Sequence, residues 1–256
     1  MYNRFARKFV LLFVLSVLFT ACIKYEHDNR VIEWAKKTGA YNIQTDVSYL
    51  GITSMPDGAV AGIQFMSAPV NDVQIQELSE LEPNIYSIGL VNSNITDAGV
   101  RSLANIGSLR SIGLDGTKIT DDSLDYLASL KQLKRLSLRK TGVTDSGLVK
   151  LKSNVQLEAL DLGHTKVAGS GLKGYVDNLI ELYLNNTMMD DNGVKNLVGF
   201  NKLQVLDLSG TKITDSSIPE LLKLSALSSL TLYNCNLTIE GKAKLRQGMS
   251  KTKILF

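Results

Sequence analysis

The stretch LKRLSLRKTGVTDSGLVKLKSNVQ, at residues 133–156, contains the pattern that decides the fold. Its first half places leucines at Leu133, Leu136 and Leu138, with polar or charged residues between the last two and on either side of them. Side chains alternate between the two faces of a β-strand, so the leucines are predicted to point inward and the intervening residues outward. The first half therefore predicts a short strand with one buried face.

The second half of the same stretch predicts a short helix. Thr144 and Asp145 carry side-chain oxygens that suit the free N–H groups at a helix start. Leu148 and Leu151 follow, three residues apart, so both fall on one face of that helix. Asp121-Asp122 and Asp190-Asp191 lie at the helix starts of other copies of the pattern, where acidic residues are favoured, and we interpret them as helix caps rather than as catalytic carboxylate pairs.

The pattern recurs with a period of 24 residues, so the chain is an array of repeats. Six strong copies begin at residues 85, 109, 133, 157, 179 and 203, a weaker copy begins at 63, and a drifting copy begins at 227. The copies at 63 and 157 are each two residues short. No copy can bury its leucines alone, so the copies are predicted to stack with their strands in a parallel sheet, ~4.8 Å apart.

The consensus LxxLxLxxTxITDxGLxxLxxL resembles that of leucine-rich repeats, and its I-T-D-x-G-L half is similar to the class found in F-box substrate receptors and many bacterial proteins. The resemblance covers residues 63–250. It implies an α/β leucine-rich-repeat solenoid of about eight repeats, a right-handed horseshoe with a parallel concave sheet and short convex helices. It also implies a non-catalytic scaffold that binds a protein partner.

The ends of such an array need covers. Residues 22–62 are predicted to form a tether and an N-terminal cap, with a short amphipathic helix from Asn29 to Lys37. Val47 to Ile52 and Val60 to Phe65 flank a turn signal and predict a hairpin. Residues 245–256 are predicted to form the C-terminal cap.

The N-terminus has the features of an export signal. Residues 1–21 begin with three basic residues and continue with an apolar run of about 13 residues, which is shorter than the ~20 that a membrane-spanning helix needs. Residues 1–21 are therefore predicted to be a signal peptide. The rest of the chain carries 25 basic and 25 acidic residues, so the formal net charge of +3 belongs to the leader and gives no support to nucleic-acid binding.

The segment Phe19-Thr20-Ala21-Cys22 resembles the lipobox of bacterial lipoproteins, although Phe19 replaces the usual aliphatic residue. The resemblance implies cleavage before Cys22 and acylation of Cys22 with chains such as palmitate. The non-acidic Ile23 that follows favours the outer membrane, by resemblance to the sorting rule of enteric bacteria. We therefore expect a membrane-anchored lipoprotein of the cell envelope, facing either the periplasm or the cell surface.

Few residues are available for chemistry. Two cysteines and two histidines exclude a disulfide scaffold and a zinc-finger array, and no nucleotide-binding or hydrolase motif is present. We expect no metal, no cofactor and no enzymatic activity. The ninth position of each copy is usually threonine and is predicted to bond backbone groups in the turn after the strand. Cys235 takes this position in the last copy and is predicted to be buried.

The outward positions of the strands are the candidate binding surface. A basic group in the copy at 133 is followed by acidic and aromatic residues in later copies, and small residues such as Ser87 and Gly89 leave the early end open. The side chains of Arg135 and Arg139 are expected to project into solvent. The candidate partner-binding residues are Lys134, Arg135, Arg139, Asp161, His164, Glu181, Tyr183, Asp207 and Tyr233.

Three interpretations of this surface are open. The first is a protein partner in the envelope, with a glycan as a less favoured ligand. The second is a structural spacer whose concave face binds nothing specific, because its opposite charges satisfy each other. The third is an effector delivered to a host, which the repeat class resembles. A nucleic-acid groove is disfavoured, since the basic strip is one repeat wide and acidic residues flank it.

Overall fold

The computed structural model describes residues 29–44, 60–175 and 178–256. The predicted signal peptide, Cys22 and the predicted strand from Val47 to Ile52 lie outside the described residues. Within these three ranges, no helix is both long enough and apolar enough to cross a membrane.

The described chain alternates strands and short helices. The strands are β1 (Asn42–Gln44), β2 (Val60–Met66), β3 (Ile85–Val91), β4 (Ser111–Gly113), β5 (Arg135–Ser137), β6 (Ala159–Asp161), β7 (Glu181–Tyr183), β8 (Val205–Asp207), β9 (Ser229–Thr231) and β10 (Lys253–Leu255). The α-helices are α1 (Asn29–Lys37), α2 (Asp72–Glu80), α3 (Asp97–Leu103), α4 (Ser123–Ser129), α5 (Asp145–Leu151), α6 (Asp191–Lys195), α7 (Ile218–Leu221) and α8 (Ile239–Gly248). Two 3-10 helices cover Ser170–Leu172 and Asp215–Ser217.

The strands form one ten-stranded sheet in chain order. Strands β2 to β10 are parallel, and β1 pairs antiparallel with β2 at the edge. The inward leucine position stays in register from strand to strand, as shown by Ile112 opposite Leu136 and Leu136 opposite Leu160. The predicted α/β solenoid is therefore confirmed, with a parallel sheet on one side and short helices on the other.

The core is a single apolar column behind this sheet. Leu133, Leu136 and Leu138 of the defining repeat are each at most 2% exposed, as are Leu148 and Leu151 from its helix. The same inward positions are buried in the neighbouring repeats. This continuity confirms the predicted alternation, because one face of each strand and one face of each helix meet in the same core.

The threonines at the ninth position form the predicted ladder. Each hydroxyl donates to the backbone carbonyl three residues earlier, at 2.6–2.7 Å, and each side chain is buried. The members are Thr117, Thr141, Thr165, Thr187 and Thr211. The prediction for Cys235 is wrong in degree: the residue is only half-buried, because it lies near the end of the array, and its thiol donates to the Leu208 carbonyl at 3.2 Å.

The aspartates at the helix starts do more than cap their own helices. Thr144 caps α5 by accepting a hydrogen bond from the Ser146 N–H. Asp121 reaches instead into the next repeat, where it accepts from the N–H of Thr144 at 2.7 Å and from its hydroxyl at 2.6 Å. Asp122 makes no capping hydrogen bond with its side chain. The capping prediction is therefore corrected for Asp121, whose carboxylate joins two repeats.

This inter-repeat bond recurs along the convex side. In each case an aspartate carboxylate accepts backbone N–H groups of the following repeat, at 2.7–3.0 Å. The aspartates are Asp72, Asp97, Asp121, Asp145, Asp191 and Asp215, which we call the aspartate ladder. It links each of these repeats to the next on the convex side.

The repeat at 157–178 breaks the ladder. Gly169 stands where the other repeats have the bridging aspartate, and its φ of +101° favours glycine. Asp145 compensates from the preceding repeat by accepting from three N–H groups, those of Ala168, Gly169 and Gly171, at 2.7–2.9 Å. In the following repeat, Asp190 caps its own helix at 2.9 Å.

The two ends of the array differ. At the N-terminal end the predicted helix from Asn29 to Lys37 is confirmed, and its Trp34 packs edge-on against Phe65 with ring centroids 5.8 Å apart. Among the described residues, the antiparallel partner of β2 is Asn42–Gln44. At the C-terminal end, β10 was not anticipated: it continues the parallel sheet beside β9.

Candidate protein-binding surface

The outward residues of β2 to β9, together with the residues that directly follow each strand, form the surface that we call the concave face. Because alternate strand residues face outward, Ser111 and Gly113 lie beside Arg135 and Ser137, which lie beside Ala159 and Asp161. The next strand adds Glu181 and Tyr183, and the one after adds Val205 and Asp207. The register therefore brings the predicted residues of β5 to β8 onto one continuous surface.

Arg135 was expected to project into solvent, but its guanidinium pairs with another residue of the concave face. Its Nη2 donates to both carboxylate oxygens of Glu181, at 3.1 and 3.0 Å. The two residues belong to alternate strands, and the small Ala159 between them leaves room for the side chains to meet. The sequence prediction placed both residues on the face but missed that they pair with each other.

Arg139 forms a second link across the same repeat. Its Nη1 donates to Asn185 Oδ1 at 3.2 Å. Gly163 lies between them, and a Cβ there would come within 2.6 Å of both bonded atoms. We call the Arg135–Glu181 and Arg139–Asn185 contacts the two latches. Both depend on a small residue in the repeat at 157–178.

Lys134 directly precedes β5, at the edge of the concave face. Its Nζ contacts Glu158 Oε1 of the next repeat at 2.8 Å, in a half-exposed ion pair. Two residues of the basic strip predicted from the sequence are therefore ion-paired: Lys134 with Glu158, and Arg135 with Glu181.

The aspartates of the face are partly occupied by their own loops. Asp161 Oδ1 accepts from the Gly163 N–H at 2.8 Å, and Asp207 Oδ1 accepts from the Ser209 N–H at 2.9 Å. Burial raises the pKa of Asp161, and the nearby carboxylates of Asp115 and Asp207 act in the same direction. The Gly163 N–H and the Arg139 guanidinium act in the opposite direction, so burial is the main cause of the raised pKa of Asp161.

His164 and Tyr183 extend the face on either side. His164 has a φ of +60°, an uncommon conformation for a residue other than glycine, and its Nε2 lies 3.2 Å from Asn186 Nδ2. Desolvation and the adjacent Arg139 lower the pKa of His164, which favours a neutral ring at pH 7. The Tyr183 hydroxyl donates to Glu181 Oε2 at 3.2 Å.

Tyr233 is separated from this group. It follows β9, two strands beyond Tyr183 in the sheet, and is 45% exposed. The predicted binding residues therefore form one connected group on β5 to β8, while Tyr233 lies apart from it.

A cavity of about 270 Å³ opens on the early part of the concave face. Its floor consists of small residues, including Ser87, Ser111 and Gly113. Gln64 forms one wall, and Arg135, with Glu181 and Tyr183 beyond it, forms the other. The predicted open end is therefore a depression with polar walls.

Sequence reasoning missed two residues of this depression. Gln64 comes from the weakest copy of the repeat, and its side chain lies over Gly89 on the adjacent strand. Asp115 follows β4, and its Oδ1 accepts from the Ser137 hydroxyl at 2.6 Å. The signal for Asp115 was present, because it shares its repeat position with Arg139. In the part of the chain that the structure describes, no three His, Cys, Asp or Glu residues are grouped as a metal site.

Comparisons with known proteins agree with this geometry. Residues 202–224 match the family model described as Leucine Rich Repeat. A search of curated proteins finds no match to this chain. Among solved structures, internalin C2 from Listeria monocytogenes is similar at 25% identity and a TM-score of 0.57, covering 77% of this chain and 85% of that one.

Two further structures share the fold. Internalin F from Listeria monocytogenes is 21% identical with a TM-score of 0.52, covering 82% of this chain and 64% of that one. The plant peptide hormone receptor RGFR1, in complex with RGF2, is 14% identical with a TM-score of 0.50, covering 77% of this chain and 32% of that one. With the family match and the repeating strand–helix geometry, these similarities establish that the chain folds as a leucine-rich-repeat solenoid.

Proposed function

We propose that this protein is a non-catalytic binding scaffold of the cell envelope, which holds a protein partner on its concave face and is anchored to the membrane through acylated Cys22. The observation that carries the proposal is the depression on β3 to β5, where small floor residues are enclosed by polar walls. A face whose charges merely satisfied each other would not need an open floor beside them. The leucine-rich-repeat scaffold is typical of protein-binding proteins. RGFR1, which shares the fold, was solved in complex with RGF2.

The binding part of the proposal is tested by blocking the floor. Ser111 lies on the floor, so Ser111→Trp fills the depression without changing any charge. Val149 is 52% exposed on helix α5, so Val149→Trp adds the same bulk to the convex side. A photo-crosslinking residue placed at each position in turn identifies the partner in intact cells.

The expected result is a specific crosslinked protein from position 111 that purified Ser111→Trp no longer binds, while Val149→Trp binds it as the wild type does. Crosslinks from position 149 alone would overturn the concave-face proposal. No crosslink from either position would favour the structural spacer. A host protein as the only partner would favour the effector.

The anchoring part of the proposal rests on the lipobox resemblance of residues 19–22. Several acyl chains on one cysteine give stable anchoring, where a single chain is marginal. Cys22→Ala is expected to abolish incorporation of a labelled fatty acid and to release the protein from membranes after a high-salt wash. A Cys22→Ala protein that stays in the membrane fraction would contradict the lipoprotein assignment. Outer-membrane placement is checked by separating inner and outer membranes on a density gradient.

A further inference from the structure

The arginine and aspartate side chains of the concave face differ in how fully they are hydrogen-bonded within the protein. Both guanidinium groups are engaged by the two latches, Arg135 with Glu181 and Arg139 with Asn185. Among the described residues, the carboxylates of Asp115, Asp161 and Asp207 accept hydrogen bonds only through Oδ1, from their own or the adjacent repeat. Each therefore keeps its Oδ2 for an incoming group.

These three carboxylates form a regular row. Asp115 follows β4, while Asp161 and Asp207 end β6 and β8, so each is two strands from the next. Adjacent strands lie ~4.8 Å apart, which places successive carboxylates about 10 Å apart across the sheet. The row crosses the strands, as a ligand lying along the solenoid would. The depression lies beside the first two members, Asp115 and Asp161, which both line it.

The depression is small and has polar walls. Its volume of about 270 Å³ is close to the lower end, ~300 Å³, of ligand clefts, and it accommodates a side chain of a partner. Burial is the largest cause of the raised pKa of Asp161; the Gly163 N–H and Arg139 oppose it, and the carboxylates of Asp115 and Asp207 add to it. A cation placed beside the Oδ2 of Asp161 would compensate for the partial burial of this carboxylate.

We infer that the concave face docks a basic, extended segment of a protein partner, with a lysine or arginine side chain entering the depression between Asp115 and Asp161 and a further basic residue reaching Asp207. This inference rests on the proposed binding function and names the chemistry of its partner. The sequence suggested that Arg135 and Arg139 would recognise the partner, which would then be acidic. The inferred partner is basic instead, because both arginines already bond to residues of the concave face in the two latches. Complementary charge of this kind sets the encounter rate and excludes acidic competitors.

The test uses the full chain in uncharged detergent and three fluorescent peptides of about nine residues, enough to cross the ~20 Å from Asp115 to Asp207 at ~3.3 Å per residue. The peptides share a Ser/Gly backbone and carry lysine, glutamine or glutamate at every third position. Fluorescence anisotropy is expected to give affinity for the lysine peptide at least about tenfold above that for the glutamine peptide, with the glutamate peptide weakest.

Matched variants locate the binding. Asp115→Asn with Asp161→Asn removes two charges from the row with little change in shape, and is expected to weaken lysine-peptide binding at least about tenfold. Glu77→Gln with Asp122→Asn removes two charges from exposed convex positions and is expected to leave binding unchanged.

Two results would overturn the inference: a lysine peptide that binds no tighter than the glutamine peptide, or a concave double variant that binds it as tightly as the convex one. Circular dichroism and melting of both variants check that they are folded. Failure here is distinct from failure of the proposed function. A partner crosslinked at position 111 and blocked by Ser111→Trp would still establish the binding scaffold, with a partner of other chemistry.

Discussion

The backbones of the repeat at 133–156 and the repeat at 157–178 differ on the convex side of the solenoid. Their strands, β5 and β6, pair in the same register as every other repeat. Their convex sides diverge, since the first has the seven-residue helix α5 and the second has the three-residue 3-10 helix Ser170–Leu172. The leucines and the sheet therefore set the repeat spacing, while the convex connection adapts in length.

The repeat at 157–178, which we call the irregular repeat, also shapes the concave face. Ala159 and Gly163 are small where the repeat at 133–156 has Arg135 and Arg139. The two latches pass over these small residues to reach Glu181 and Asn185. A short repeat with small outward residues therefore lets Arg135 pair with Glu181 and lets Arg139 reach Asn185.

The largest expected effect tests whether the two repeats share one core. Leu136→Ala and Leu160→Ala remove the same inward side chain from adjacent strands, where both are at most 2% exposed. Each is expected to lower the free energy of unfolding by roughly 2–5 kcal/mol, through lost burial and an unfilled cavity. Denaturant unfolding of the full chain measures it. An unchanged melting temperature in both would mean that the assigned register is wrong.

Removing a ladder aspartate should lower the free energy of unfolding more beside the irregular repeat than between two regular repeats. Asp145→Ala leaves three N–H groups of the next repeat without their acceptor, whereas Asp121→Ala affects only the N–H and hydroxyl of Thr144. We expect a loss of roughly 2–4 kcal/mol for Asp145→Ala and about 1–2 kcal/mol for Asp121→Ala. The same denaturant titration compares them, and equal losses would show that the compensating contacts of Asp145 contribute nothing.

Restoring the repeat consensus should destabilise the irregular repeat. Gly169→Asp supplies the missing ladder aspartate, but φ at this position is +101°, and a Cβ would lie 2.9 Å from the Gly193 Cα. The expected loss is about 1–3 kcal/mol, since the strain outweighs a new carboxylate. Gly107→Asp, at an open position, is the control. A Gly169→Asp protein with raised stability would mean that the irregular repeat is merely a degraded copy.

The ladder should make the protein sensitive to acid on both sides of the irregular repeat. Burial by itself would raise the pKa values of Asp97 and Asp191. Hydrogen bonds from Ser123 and Thr120 nevertheless hold the pKa of Asp97 below its usual value, and bonds from Ser217 and Thr214 do the same for Asp191. A carboxylate with a lowered pKa stabilises the fold above the unfolded pKa, ~3.9, and loses that contribution as the pH falls through the folded pKa.

Melting temperatures measured from neutral pH to about pH 3 therefore decline, and the decline is expected to be shallower in Asp97→Asn with Asp191→Asn. Asp122→Asn, whose side chain makes no capping bond, is the control. An equally steep decline in the double variant would place the acid sensitivity elsewhere in the molecule.

The smallest expected effect on stability comes from removing one of the two latches. Arg135→Ala removes the ion pair with Glu181, whose side chains are 40% and 26% exposed. Stability is expected to fall by about 0.2–1 kcal/mol, as for other solvent-accessible pairs. Lysine-peptide binding should strengthen, because Glu181 becomes available as a further carboxylate. Weaker peptide binding would instead support the sequence-based expectation that Arg135 itself meets the partner.

Much of the fold was predictable because each feature depends on neighbours at fixed spacing. The strand, the helix and the threonine ladder repeat every 24 residues, and a local rule explains each: alternation, helix periodicity and a hydroxyl bonding a carbonyl three residues back. Strand β10 was missed because Lys253–Leu255 carries only part of the consensus, and its pairing with β9 follows from the open edge of the sheet.

The sequence by itself determined the solenoid, the buried leucines and the set of side chains that share the concave face, because a period fixes which residues stack. Only the tertiary structure decided how those side chains meet. Arg135 and Glu181 are 46 residues apart, and whether they pair depends on Ala159 between them and on the reach of both side chains. Pairing across a third strand is a property of distances in space, and it decides that both arginines bond to other residues of the concave face.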